Sequence, residues 1–277
     1  MTNLLRKSLN ILSERGLWVL LGMMRTFLAT KWFTRVADEA NIAFEALNAS
    51  SRKGVMIDVG AHFGGSLLQF AEHDWDVFAF EPDAENREKL QAKFGDNPNV
   101  HIDSRAVSDK SGQNVPFFGS HESTGISGLS AFHKSHEEKS TVSMTTLGIF
   151  MEEQCWVSPT IDFLKIDTEG YDLNVLRSFP WGKTQPRIIL CEFEDFKTQP
   201  LGYDYHDLAQ FLVGKGYSLI ISEWYPIERY GSSHRWRQFS RYPCELQHDD
   251  AWGNILAAKD EEVYASLVTL CKLAKLN

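Results

Sequence analysis

The stretch Val55-Met-Ile-Asp-Val-Gly-Ala-His-Phe-Gly-Gly65 decides the fold of this 277-residue chain. Its first five residues form an apolar run typical of a buried strand, and the glycines follow directly. Glycines at a strand-to-helix turn allow a ligand to come close to the backbone, and ligands of open α/β sheets bind at the carboxyl ends of strands. The stretch therefore predicts the first strand of a Rossmann-like α/β domain, with a nucleotide-like cofactor at the turn.

The spacing of the glycines in this turn distinguishes between cofactors. A dinucleotide-binding turn has the pattern GxGxxG, which brings the backbone close to a pyrophosphate. Here the glycines are Gly60, Gly64 and Gly65, so the second close glycine is missing. Asp58 would also repel a pyrophosphate, whereas the cationic methionine portion of S-adenosylmethionine (SAM) would tolerate a carboxylate. The turn therefore favours SAM over a dinucleotide.

A second motif, Phe80-Glu-Pro82, ends the next predicted strand. Glu81 follows Gly60 by 21 residues, and an acidic residue at about this separation binds the two ribose hydroxyls of a nucleotide. Both NAD and SAM contain an adenosine ribose. Glu81 therefore supports an adenosine-containing cofactor without separating the two.

A third motif, Lys165-Ile-Asp-Thr-Glu-Gly170, ends another predicted strand. We expect Asp167 to face the reactive end of the cofactor or to position an acceptor hydroxyl. We expect Glu169 to cap the next helix or to join the acceptor site. Two carboxylates at positions i and i+2 also suit Mg²⁺, but the sequence offers no evident third ligand, so no metal site is predicted.

Strand and helix patterns alternate along the chain, which predicts a mostly parallel sheet with helices on both faces. The stretch 108–139 is rich in Ser, Gly and His and is predicted to be a long irregular loop, with a small hairpin arm at Val115–Phe118. The predicted strands are 55–59, 77–80, 100–102, 161–166, 187–193, 217–221 and an edge strand at 254–258, and the predicted helices are 66–73, 83–94, 171–179, 204–215 and 261–276.

Residues 1–50 are predicted to form a helical appendage, and residues 51–277 the α/β domain. The first 36 residues carry six basic side chains and one acidic side chain. The apolar run Leu17–Met24 is too short to cross a membrane, because Arg25 interrupts it. Two hypotheses stay open. The segment is a pair of helices that packs on the main domain or on a second subunit of a homo-oligomer, or it is a basic amphipathic helix on an anionic membrane surface.

Charge and cysteine content narrow the class of protein. A net charge of −9 argues against nucleic acid as the main partner, because duplex binding depends largely on basic residues that neutralise phosphates. The four cysteines are far apart and form no CxxC pair, so zinc-finger and thioredoxin-like sites have no support. Such cysteine usage suits a reducing compartment. We expect a cytoplasmic protein, with any membrane contact at the inner face.

Five blocks of sequence follow one another in the order Ile57–Ala61, Phe80–Asp83, Ala106–Gly112, Ser123–Ser130 and Phe163–Gly170. In this order they resemble the FkbM family of SAM-dependent methyltransferases, over about residues 54 to 222. The resemblance implies a Class I methyltransferase fold, with a seven-stranded sheet whose last strand is antiparallel. It also implies O-methylation, often of sugars or polyketide-type natural products.

The resemblance assigns roles to residues of these blocks. It implies that Asp58, Gly60 and Gly64 line the methionine end of SAM and that Glu81 holds the ribose. The family often has Thr-Leu-Asp before the third motif, whereas this chain has Thr146-Leu-Gly148, so any role of that Asp is missing. The remaining predicted cofactor contacts on the same blocks are Ala61, His62, Pro82, Ala106, Val107 and Asp167.

The predicted activity is transfer of a methyl group from SAM to a hydroxyl of a small polar acceptor. The resemblance favours a saccharide of a surface glycan or glycolipid, or a related natural product. An alcohol acceptor also needs a base within hydrogen-bond reach. Asp167 is the preferred base, and the other candidates are Glu169, Glu192 and His234. The aromatic and polar segment 223–236 is either a sugar-binding surface or a cap over the sheet edge.

Two alternative functions stay open at the level of sequence. One is an NAD-dependent oxidoreductase or epimerase of sugar nucleotides, which would share the strand–helix–strand unit and Glu81. The glycine spacing, Asp58 and the lack of a Tyr-xxx-Lys pair in the sequence argue against it. The other is a scaffold protein that keeps the SAM-binding fold without catalysis. The intact glycine turn, Glu81 and Asp167 argue against that loss.

Overall fold

A computed structural model describes residues 37–156, 160–230 and 232–273. The basic N-terminal segment, with the apolar run Leu17–Met24, lies outside the described residues, as does the end of the predicted C-terminal helix. Within the described part of the chain, no helix is long and apolar enough to cross a bilayer.

The described residues alternate between strands and helices, as the sequence predicts. The strands are β1 (Val55–Val59), β2 (Asp76–Phe80), β3 (Val100–Asp103), β4 (Ala106–Val107), β5 (Gly112–Ser120), β6 (His136–Thr145), β7 (Phe163–Ile166), β8 (Ile188–Glu194), β9 (Ser218–Trp224), β10 (Trp236–Arg241) and β11 (Trp252–Ala258). The α-helices are α1 (Glu39–Ala46), α2 (Leu68–Glu72), α3 (Ala84–Phe94), α4 (Leu147–Glu153), α5 (Asp172–Ser178), α6 (Asp195–Thr198), α7 (Tyr205–Gly214) and α8 (Glu261–Leu270).

The main sheet has the strand order β10-β9-β11-β8-β7-β1-β2-β3. Five adjacent strands run parallel to one another, namely β3, β2, β1, β7 and β8. Strand β11 is antiparallel to both β8 and β9, and β10 is antiparallel to β9. The chain leaves β1 toward β2 and later returns to β7 on its other side. The strand order therefore reverses between β1 and β7, which is where open α/β sheets bind their ligands.

The predicted seven-stranded, mostly parallel sheet is wrong in strand number and in the amount of parallel pairing. The sheet has eight strands and is mixed, because β10 adds an antiparallel edge strand that was not predicted. The strand predicted at 254–258 is present but is not an edge strand, since β11 lies between β8 and β9. Which strands become neighbours depends on contacts between distant parts of the chain, and a local apolar run does not report them.

The prediction of an irregular stretch over 108–139 is wrong for Gly112–Ser120 and for residues 136–139, which lie in strands. Strands β5 and β6 pair antiparallel over most of their length, and with β4 they form a second, three-stranded sheet. Much of β6 is exposed, so the sequence from His136 onward lacks the alternation of apolar and polar residues that marks a half-buried strand. The small predicted arm at Val115–Phe118 is part of β5.

The main sheet separates two apolar cores. Successive side chains on a strand point to opposite faces, so Ile57 of β1 packs in the core beneath α4, α5 and α7, and Met56 packs in the core beneath α1, α2, α3 and α8. Both cores come from strands that are apolar on both sides. This is the pattern expected of a sheet covered by helices on both faces.

Helix α1 packs on the sheet through a buried carboxylate as well as through apolar contacts. Ala43 and Phe44 are buried against the second core. Glu39 accepts hydrogen bonds from the hydroxyl of Ser222 and the indole of Trp224 on β9. The part of the predicted appendage that the structure describes is therefore joined to the sheet by specific polar contacts.

Candidate active site

The glycine turn after β1 ties together the carboxyl ends of three strands. Gly60 has a φ of +80°, and a Cβ atom at this position would overlap the backbone oxygen of Asp167, which follows β7. The N–H groups of Gly60 and Ala61 both donate to the carbonyl of Phe80 at the end of β2, at 3.0 Å. Only glycine fits here, because the turn passes so close to the neighbouring backbone.

A cavity opens at these strand ends, beside the point where the strand order reverses. Its volume is about 230 Å³. Part of the β5–β6 connection closes one side of it. The lining residues are Val59, Gly60, His62, Phe80, Glu81, Pro82, Asn86, Arg105, Ala106, Val107, Phe117, Thr124, Gly125, Ser127, Gly128, Leu129, Asp167, Thr168 and Glu169.

Backbone donors hold the carboxylate of Glu81 at the cavity wall. Its Oε2 accepts a hydrogen bond from the N–H of His62 (2.7 Å), and its Oε1 accepts one from the N–H of Asp83 (2.8 Å). Burial raises the pKa of Glu81 to about 7, although both N–H bonds oppose the shift. Because a carboxylate has about four acceptor positions, each oxygen keeps capacity for a ligand hydroxyl.

Lys165 lies between two carboxylates behind the cavity. Its Nζ is 3.2 Å from Asp58 Oδ1 and 3.5 Å from Asp167 Oδ2, and it donates to the carbonyl of Gly60 at 2.6 Å. Burial alone would lower the pKa of Lys165, but the two carboxylates outweigh it and raise the pKa. The side chain of Asp167 is 42% exposed, so Asp167 faces the cavity whereas Asp58 is fully buried.

A second group of charges, here called the glutamate–lysine cluster, consists of Glu169, Glu192, Glu194 and Lys197. The ammonium of Lys197 lies 2.7 Å from Glu169, 3.0 Å from Glu192 and 2.7 Å from Glu194. All four residues are buried. Three carboxylates therefore share one cation at the carboxyl ends of β7 and β8, and Glu169 belongs both to this cluster and to the cavity wall.

Burial sets the protonation of the glutamate–lysine cluster. It raises the pKa of Glu169 to about 7 and the pKa of Glu192 well above its usual value, although Lys197 opposes both shifts. Burial alone would lower the pKa of Lys197, but the surrounding carboxylates outweigh it and raise the pKa. Burial thus favours the protonated form of these carboxyl groups, whereas their charge favours the ionised form of Lys197.

The fold brings a third carboxylate, that of Glu192, close to Asp167 and Glu169, as a metal site would need. Atoms of Asp167, Glu169 and Glu192 lie within 4.8 Å of one another. However, Lys197 lies directly against two of the three, and its ammonium already balances their charge. The arrangement suits an internal ion pair better than a divalent cation.

The structure brings most of the predicted site residues together. Those that line the cavity are Gly60, His62, Glu81, Pro82, Ala106, Val107, Asp167 and Glu169. Those that do not line it are Asp58, Ala61, Gly64, Glu192 and His234.

Each predicted residue outside the cavity has another environment. Asp58 lies behind the turn beside Lys165. Gly64 packs on α3, where a Cβ atom would overlap the ring of Phe94. His234 lies against Trp252, with ring centroids 5.2 Å apart. Ala61 is buried beneath the turn, and Glu192 reaches the site only through the glutamate–lysine cluster.

Sequence reasoning missed Lys197 and Glu194. A signal was available in Glu192-Phe-Glu194, where two acids lie at i and i+2 at the end of a strand, as Asp167 and Glu169 do after β7. The sequence contains no such signal for Lys197. It lies on the short helix α6, directly after β8, and its contact with Glu169 after β7 forms only in the folded protein.

A comparison with protein families identifies the domain that carries this site. A family model described as the methyltransferase FkbM domain matches residues 58–219, which is more than half of the chain. The chain belongs to the FkbM methyltransferase family. The match confirms the resemblance seen in the five sequence blocks, and FkbM membership implies SAM as the methyl donor. Among curated proteins, none matches this chain in sequence.

Several solved structures are similar to this FkbM chain at low identity. A precorrin-6y C5,15-methyltransferase from Geobacter metallireducens GS-15 is 12% identical with a TM-score of 0.40, covering 82% of this chain and 94% of that one. A putative caffeoyl-CoA O-methyltransferase from Staphylococcus aureus is 10% identical with a TM-score of 0.40, covering 91% and 98%. An rRNA methylase from Streptococcus thermophilus is 9% identical with a TM-score of 0.40, covering 80% and 95%. Similarities of this size say nothing about the substrate.

Proposed function

We propose that the protein is a SAM-dependent O-methyltransferase that acts on a hydroxyl of a small polar acceptor, such as a saccharide of a surface glycan or glycolipid or a related natural product. The observation that carries the proposal is the match of residues 58–219 to the methyltransferase FkbM domain, and the placement of Glu81 beside the turn at Gly60 supports a site for the ribose. An adenosine ribose offers two adjacent hydroxyl donors, which match the two oxygens of a carboxylate already oriented by backbone N–H groups.

Two features of the cavity support SAM as its ligand. The missing Cβ of Gly60 allows close approach at the turn. Glu81 lies on the wall toward β2 and Asp167 on the wall toward β7, so the ribose and the positively charged methionine end both meet carboxylates. When bound, SAM supplies a methyl group that its positive sulfur has already activated.

The chain's own task is then to bind, align and deprotonate the acceptor. An alcohol loses its proton most effectively to a base whose pKa is near the working pH. Glu169 lines the cavity, and burial raises its pKa to about 7. Asp167 Oδ2 lies 3.5 Å from the ammonium of Lys165, and its side chain faces the cavity. We therefore assign proton removal to Glu169 and placement of the acceptor and the methionine end to Asp167.

Calorimetric titration tests the donor and its site. We expect SAM and S-adenosylhomocysteine (SAH) to bind, NAD⁺ not to bind, and Glu81→Ala to abolish binding of the first two. Glu88→Ala is a matched control, because Glu88 is exposed on α3 outside the cavity. Binding of NAD⁺ alone would favour the oxidoreductase alternative. SAM binding without methyl transfer to any of a broad range of hydroxyl compounds would favour the scaffold alternative.

The roles assigned to the N-terminal segment are also proposals. A cytoplasmic location, contact of the basic segment with anionic lipid at the inner membrane face, and homo-oligomer formation are each consistent with the sequence. Co-sedimentation with vesicles that contain phosphatidylglycerol tests the lipid contact. The truncated protein should begin at Asp38 rather than at the predicted domain boundary near Ser50, because α1 is part of the second core. Equal pelleting of the full-length and truncated proteins would refute the proposal.

A further inference from the structure

The end of the cavity at Glu169 is where an acceptor would meet the chain, if the proposed function holds. Glu81 follows β2, whereas Asp167, Thr168 and Glu169 follow β7, on the other side of β1. Glu169 is only 8% exposed. Its Oε2 is buried 2.7 Å from the ammonium of Lys197. Oε1 is therefore the oxygen of this carboxylate that is left to accept a hydrogen bond from a ligand.

Carboxyl groups outnumber cationic groups around this end of the cavity. The carboxylates of Glu81, Asp167 and Glu169 line the cavity, and Glu192 and Glu194 lie directly behind Glu169. In the glutamate–lysine cluster, three carboxyl groups surround the single ammonium of Lys197.

The nearby cations are already neutralised. Lys165 lies between Asp58 and Asp167. The guanidinium of Arg105, which lines the cavity, makes ion pairs with Asp103 and Glu153 at 2.7 Å each. Burial lowers the pKa of His62, so its ring is neutral at pH 7. Among the residues that the structure describes, the cavity wall therefore offers an anionic acceptor group no cation that lacks a counter-ion.

Aromatic rings lie over the same cluster. The ring centroids of Phe132 and Tyr230 are 6.2 Å apart, and they lie 5.4 Å and 6.0 Å from the ammonium of Lys197. The hydroxyl of Tyr230 donates to Glu194 at 3.1 Å. Neither ring lines the cavity, and both cover the buried ammonium of Lys197.

We propose that the acceptor presents an uncharged, polyhydroxylated group at the Glu169 end of the cavity, and that sugars with a phosphate or carboxylate on this group are rejected. The inference rests on the proposed function and narrows its substrate class. Hydroxyls of this group donate to Oε1 of Glu169. An anionic group would lie against buried carboxylates without a cation of its own, and such like-charge contact strongly disfavours binding. The glutamate–lysine cluster thus selects against acceptors with an anionic group.

Transfer of radiolabelled methyl groups from SAM to matched sugars tests this selection. Each set contains a methyl glycoside, its uronic acid and its 6-phosphate, in the gluco, galacto and manno series. We expect label in neutral members, at a rate about tenfold or more above that of the anionic members of the same set. Equal or faster labelling of an anionic member overturns the proposal, as does labelling of no neutral member by a protein that binds SAH.

Variants separate this inference from the proposed function. Glu194→Gln removes one carboxylate of the cluster that does not line the cavity, so we expect the preference for the neutral sugar to shrink while SAH affinity stays unchanged. Glu192→Gln is the second variant, in case the first does not fold. Glu262→Gln, at an exposed position on α8, should leave the preference unaltered. An unchanged preference in both cluster variants would overturn this inference. Absence of SAH binding by the unaltered protein would instead refute the proposed function.

Discussion

At the residue scale, Gly60 is constrained twice. Its φ of +80° disfavours any side chain, and a Cβ atom would overlap the backbone oxygen of Asp167. We expect Gly60→Ala to lower the free energy of unfolding by about 2 kcal/mol or more and to weaken SAH binding. Urea unfolding and calorimetry measure the two effects. Gly65→Ala is the matched control, because a Cβ atom there meets nothing within 4 Å, and a similar loss in both variants would contradict the argument.

Glu169 and Asp167 make distinguishable predictions for catalysis. If Glu169 removes the acceptor proton, kcat/KM rises with pH through about 7, since burial raises its pKa to about 7 and only the ionised form accepts the proton. We expect Glu169→Gln to lower kcat about 100-fold or more, to remove that pH dependence, and to leave SAH binding within a few-fold. Asp167→Asn should keep the rise with pH at a reduced rate. The opposite pattern would restore Asp167 as the base, as the sequence alone suggested.

At the element scale, Asp83 links α3 to the β5–β6 hairpin. Its carboxylate accepts from the N–H groups of Glu85 and Asn86, which caps the helix, and it makes an ion pair with Lys139 of β6 at 2.8 Å. We expect Asp83→Ala to cost about 1–2 kcal/mol of unfolding free energy, and Asp83→Asn clearly less, because Asn also caps helices. Urea unfolding measures both. Equal costs would mean that the ion pair, and not the cap, carries the stability.

The same elements show how far local sequence patterns predict structure. Strand β1 has the predicted bounds, and α3 begins one residue after the predicted start at Asp83, which caps it, because an apolar run or a capping side chain acts over a few residues. The hairpin was missed since β6 is largely exposed and lacks the apolar alternation that identifies strands. Helix α4, between β6 and β7, was not predicted.

At the scale of the whole molecule, buried carboxyl groups predict that stability falls as pH rises. Burial raises the pKa of Glu81 to about 7 from a usual value of 4.5. Between these values the folded protein keeps a proton that the unfolded chain has released, so the free energy of unfolding decreases with rising pH. Glu169 and Asp172 shift in the same direction.

Urea unfolding of the ligand-free protein at pH 5 and pH 7 measures this slope. We expect lower stability at pH 7, and a smaller difference between the two pH values for Glu81→Gln, which cannot take up the proton. Glu262→Gln should keep the full difference, because its carboxyl group is exposed in the folded protein. A difference that Glu81→Gln leaves intact would show that Glu81 does not titrate in this range.

The sequence by itself determined the strand–turn–helix unit at Gly60, the acid at Glu81 and the family to which the chain belongs, because these depend on a few adjacent residues whose chemistry is local. Only the tertiary structure decided the placement of β10 and β11, the burial of Asp58 against Lys165, and the assembly of the glutamate–lysine cluster. Each of these needs residues that are distant in sequence to become neighbours, and in each the burial that sets charge and geometry exists only after the sheet and its helices have packed.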